Sequence, residues 1–185
     1  MAEKPIGVMP LSVIAIAFGV MGFFGGAMGL GAVIWNPKQN PPGGTDPKLA
    51  QVNAEFVQKM EAVTREARPV QLVLLPAMIL TSLVLVAGGI SGIKMKARSF
   101  VQLAFGASLV VDSASAVYGL IVQARTMDIT KWYLAEIASS SKMAAGVEMG
   151  MKFGFYAGLF MGVGWLVAKT VFYILGVVYF GKKNV

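Results

Sequence analysis

Four stretches of this chain, residues 11–35, 70–93, 100–123 and about 153–180, are long and almost wholly apolar, and they decide the solvent before they decide the fold. As helices rising about 1.5 Å per residue, each covers the roughly 30 Å hydrocarbon core of a bilayer. A water-soluble domain of 185 residues could not hide them, because 56% of the chain is hydrophobic and only 14% is charged. The sequence therefore predicts an all-α integral membrane bundle of four transmembrane helices, forming one domain over residues 1–185. A secretory h-region usually runs only about 7–15 residues. The first stretch is therefore read as a retained span, although Lys4 precedes it and Gly25, Gly26 and Ala27 lie within it.

Basic residues set the expected orientation. Lys4, Lys94, Lys96, Arg98, Lys182 and Lys183 flank the spans on one side against Glu3 alone, whereas the two longer segments opposite hold nine basic and seven acidic residues. This asymmetry predicts cytoplasmic termini, with a bacterial inner membrane as the expected setting. It also accounts for the net charge of +7 by lysines beside anionic headgroups, so no nucleic-acid partner is expected.

The chain has no cysteine and no histidine. Disulfides, thiolate nucleophiles, imidazole ligation and the usual zinc sites and general base are thereby removed, and no phosphate-cradling glycine loop is present. No enzyme activity, cofactor or metal is expected.

In the first outer segment, residues 36–69, Pro37, Pro41, Pro42, Gly43 and Gly44 mark a loop. Thr45 or Asp46 is the expected cap of a helix over about 46–68, with Pro47 at its first position. Leu49, Val52, Phe56, Met60 and Val63 recur at helical spacing, and Glu55/Lys59 and Glu61/Arg65 pair opposite charges four residues apart. The pattern predicts an amphipathic helix covered by the second outer segment, by a neighbouring subunit or by the headgroup layer. That second segment, residues 124–152, carries a short helix with Trp132, Tyr133, Leu134 and Ile137. Trp35, Trp132 and Tyr133 fall where an outer aromatic belt is expected, and Tyr179 near the inner boundary. Ser139–Ser141 is the expected cap of the last helix.

Glycines recur every fourth residue at Gly146, Gly150, Gly154, Gly158 and Gly162. Successive steps of about 400° form a slowly winding small-residue strip, which in lipid lets another helix approach at backbone distance. The first span repeats the theme with Gly22, Gly25, Gly26 and Gly29. Packing of the first span on the fourth, a seam between copies, and glycine merely tolerated in a membrane helix are all compatible with these spacings.

Two charges lie inside spans, where they cost several kcal/mol unless paired or wetted. Asp112 is twelve residues from Phe100 and Lys169 eleven from Phe180, placing them about 18 Å and about 16–17 Å deep. Their matched depth predicts a buried ion pair. Ser108, Ser115, Gly119 and Gln123 share a helical face with Asp112 and extend a polar stripe. The pair can fix helix register or belong to a proton or ion relay. A Ser–Lys hydrolase is disfavoured, because a lysine facing an aspartate is held as ammonium and makes a poor base. The expected function is a non-enzymatic self-associating scaffold or small subunit of a membrane complex, partnered by lipid and by copies of itself or other membrane subunits. An oligomeric channel or proton-conducting subunit using Asp112 and Lys169 is the alternative.

Overall fold

The computed structural model describes residues 7–35, 47–94, 97–138 and 144–181. Four helices make up nearly all of them: α1 (Val8–Trp35), α2 (Pro47–Ile93), α3 (Arg98–Ala138) and α4 (Ala144–Gly181). Each is long and apolar enough to cross a bilayer, which makes the chain an integral membrane protein. α2, α3 and α4 hold 47, 41 and 38 residues, so at about 1.5 Å per residue each exceeds the hydrocarbon thickness.

The expected boundaries inside these helices do not interrupt them. Residues 46–68 and 70–93 are not two helices: α2 runs unbroken from Pro47 through Pro69 and Pro76 to Ile93. A mid-helix proline loses one backbone hydrogen bond and crowds the preceding turn, at a cost of about 3 kcal/mol. Helix on both flanks is held by packing, with Asn53 and Ala67 buried before Pro69 and Ser82 and Leu85 after Pro76. The short helix predicted after residue 124 is likewise the continuation of α3, whose Thr126 and Thr130 hydroxyls donate to the carbonyls of Val122 and Thr126. The predicted caps at Thr45, Asp46 and Ser139–Ser141 lie outside the described residues.

At the start of α3, Ala97 adopts φ 52°, a left-handed conformation that favours glycine. Its carbonyl accepts from the backbone N–H groups of Phe100 (2.9 Å) and Val101 (3.2 Å), which reverses the chain between α2 and α3.

The chain divides into two compact units. The first gathers residues 1–35, 71–116 and 165–185; the second gathers residues 36–70 and 117–164. In the first, Val8, Ala15, Leu85, Val101, Phe105, Phe172, Tyr173 and Phe180 form the buried core. α1 crosses α2 at backbone distance there. A Cβ at Gly19 would stand 2.7 Å from the Ser82 carbonyl oxygen, and one at Gly89 of α2 would stand 2.7 Å from the Ser12 carbonyl oxygen. Such distances exclude any side chain at either position.

In the second unit the N-terminal half of α2 packs on the C-terminal half of α3. Tyr133 stacks on Phe56 with ring centroids 4.3 Å apart and donates its hydroxyl to Asn53 Oδ1 at 2.7 Å. Lys59 Nζ lies 3.5 Å from the Trp132 ring centre and 2.9 Å from Glu55, and Arg125 bridges Glu66 at 2.6 Å. Phe56 thus finds its cover in the same chain. Trp132 and Tyr133, predicted for an aromatic belt, spend part of their surface on α2.

Candidate functional site

The first unit holds a largely buried ion pair. Lys169 Nζ of α4 donates to Asp112 Oδ2 of α3 at 2.7 Å, with the two side chains 12% and 13% exposed. Tyr173 donates its hydroxyl to the same oxygen at 2.8 Å and is itself 2% exposed. Residues 169 and 173 stand one turn apart, so both donors leave the same face of α4 and converge on one acceptor. Charge-assisted bonds of this length are the strong kind, and the surrounding low dielectric strengthens them.

Aromatic rings wall the cluster. Phe18 of α1 meets Trp165 at 5.2 Å, Phe172 at 5.0 Å and Tyr173 at 6.4 Å in edge-on geometry, and Phe105 of α3 packs on Phe172 and Tyr173. The Trp165 ring lies 5.9 Å from Lys169 Nζ, adding an attractive face to the ammonium. Gly176 makes the arrangement possible: a Cβ there would overlap the Phe105 ring.

Ser108 is buried on α3, one turn before Asp112, and its hydroxyl has no hydrogen-bond partner; the Ser115 hydroxyl is likewise buried and unpartnered. The described Thr64, Thr81, Thr126 and Thr130 instead close their hydroxyls onto carbonyls of their own helices. Asp112 therefore presents donors from α4 on one oxygen and sits between two uncommitted serine hydroxyls on α3. Gln123, expected on the same stripe, belongs to the second unit, where it lines a groove between α3 and α4.

The glycine sets separate sharply. Of the four α1 glycines expected to form a packing strip, Gly22, Gly26 and Gly29 face Ser82, Ile79 and Leu75 of α2, while Gly25 has no neighbour among the described residues. Of the arrangements compatible with their spacing, packing of these α1 glycines on α4 is not the one found: their partner is α2, where Gly22 meets Ser82, Gly26 meets Ile79 and the Leu75 carbonyl, and Gly29 meets Leu75. Along α4, no atom of the described residues lies within 4 Å of where a Cβ would stand at Gly150, Gly154, Gly158 or Gly162. The surroundings of Gly146 lie outside the described residues.

Sequence reasoning missed Tyr173, Trp165 and Gly176. Tyr173 had a visible signal, four residues beyond Lys169 on the same helix face. Trp165 and Gly176 had none, since their roles depend on which helix stands opposite. Comparison with protein families, curated proteins and solved structures finds no match.

Proposed function

We propose that this protein is a non-enzymatic membrane subunit that assembles, with copies of itself or with other membrane proteins, through the glycine face of α4. The carrying observation is the open strip at Gly150, Gly154, Gly158 and Gly162. Each glycine weakens a helix by about 1 kcal/mol relative to alanine. In α1 close packing on α2 offsets that cost, whereas in this part of α4 the described residues supply no offset. Flanking Phe153 and Phe160 are 77% and 82% exposed. Another helix seated there would gain the contacts that acyl chains make poorly against a grooved surface. The Asp112–Lys169–Tyr173 cluster serves in this reading as the internal register pin that holds α3 against α4. The termini are cytoplasmic and the membrane is a bacterial inner membrane, on the strength of the basic residues beside the spans.

The test is the mass of the detergent-solubilised particle before and after Gly158→Leu. We expect a multimer that falls to a folded single chain, while Phe160→Leu leaves the assembly intact. A particle unchanged by Gly158→Leu sinks the proposal. For topology, a cysteine at Gly44 should react with an impermeant maleimide on intact cells and one at Ala97 should not.

A second reading is favoured by the unpartnered hydroxyls of Ser108 and Ser115 beside Asp112. Uncommitted hydroxyls around a buried carboxylate suit a proton or ion relay. That reading requires proteoliposomes to dissipate an imposed pH gradient and Asp112→Asn to abolish the flux; liposomes that hold the gradient exclude it.

A further inference from the structure

We infer that the groove between α3 and α4 in the second unit is a binding site for a phospholipid with an anionic headgroup. The groove has a volume of about 360 Å³, and its walls include Met127, Thr130, Lys131 and Leu134 of α3 with Phe155 and Tyr156 of α4. That volume falls in the range of small-ligand sites, which are typically apolar with a few placed polar groups.

Three observations select the occupant. First, the groove joins a polar stretch to an apolar one: its α3 wall begins directly beyond the apolar run of that helix, and its α4 wall lies just inside the apolar run of the other. The apolar run of α3 ends at Val122, and Gln123, Arg125, Asp128 and Lys131 follow; the apolar run of α4 begins at Phe153. A molecule matched to both walls must itself change from apolar to polar at that level, as a phospholipid does.

Second, the wall is less polar than its composition suggests. The hydroxyls of Thr126 and Thr130 donate to carbonyls of their own helix at 3.0 and 2.9 Å, so neither requires a donated bond to a ligand. Met127, Leu134 and Phe155 complete a surface suited to an acyl chain.

Third, Lys131 supplies the charge. Its ion pair with Asp128 is long, 3.8 Å, and both side chains are more than half exposed. Such a pair holds its ammonium weakly. Lys131 lies eight residues beyond Gln123, about 12 Å along the helix, where a flexible lysine can turn back toward a phosphate at headgroup level.

The inference goes beyond the assembly proposed above and uses neither the glycine strip nor Asp112. Its test is native mass spectrometry of the delipidated full-length protein titrated with phosphatidylglycerol or phosphatidylcholine. Wild-type protein should bind phosphatidylglycerol about fivefold more tightly, the effect expected of one lysine near a phosphate. Lys131→Gln should remove that preference and leave phosphatidylcholine binding unchanged. Thr130→Trp, which fills the groove, should lower retention of both lipids. Lys94→Gln, an equal charge change elsewhere, should preserve the preference. Equal binding of both lipids by wild type, an undiminished preference in Lys131→Gln, or its equal loss in Lys94→Gln each overturns the inference. So does a doubled protein mass that excludes lipid in wild type and falls to the single-chain mass in Thr130→Trp, which would assign the groove to a second copy.

Discussion

One helix, α4, has two contrasting regions. Over residues 165–181 it contributes Phe172, Tyr173 and Phe180 to a buried core and Lys169 to an ion pair. Over residues 149–164 the described side chains are exposed or half-exposed, with Phe153, Tyr156, Phe160 and Met161 among the most open large apolar groups. Both regions are apolar, and both carry glycines. The lesson is that a glycine in a membrane helix marks a surface able to receive a neighbour, and only the opposite surface decides whether one is there. Gly176 receives Phe105; Gly158 receives nothing from the described residues.

The contrast can be broken or sharpened by substitution. The largest effect is expected at the ion pair. Lys169→Met strands a buried carboxylate and should destabilise the protein by about 3–5 kcal/mol in thermal unfolding in detergent, while Lys169→Met with Asp112→Leu should recover much of the loss. A double variant as unstable as the two singles added together would refute the coupling. Tyr173→Phe should cost about 1.5–3 kcal/mol, the range for a hydrogen bond to a charged group, and less if Lys169 alone satisfies Asp112.

Gly176→Ala should cost about 1–3 kcal/mol, since the added methyl must displace the Phe105 ring within a packed layer. In the bare region Gly158→Leu should leave the melting of the single chain within about 0.5 kcal/mol of wild type, as for a surface change, and should act on assembly alone. A large loss of single-chain stability at Gly158 would erase the distinction between the two regions.

Much of the architecture was legible from residues alone. Four apolar runs identify four spans because the bilayer sets a length that local composition must meet. The juxtaposition of Asp112 and Lys169 could be anticipated because two isolated charges at equal depth have few other ways to be tolerated. Element ends were less legible. Pro69 reads as a stop in any local scheme, yet α2 passes through it because buried residues on either side hold the helix that the proline weakens.

Sequence by itself thus determined the solvent, the number of spans and the two residues that had to find each other, since these follow from hydrophobic length and from the cost of charge in hydrocarbon. Tertiary structure alone decided that Tyr173 shares the Asp112 oxygen, that α1 lays Gly22, Gly26 and Gly29 against α2, and that the described residues leave Gly150, Gly154, Gly158 and Gly162 of α4 uncovered. Those outcomes depend on which surfaces meet. Periodicity specifies a helix face, but the identity of the opposing face is a property of the packed bundle.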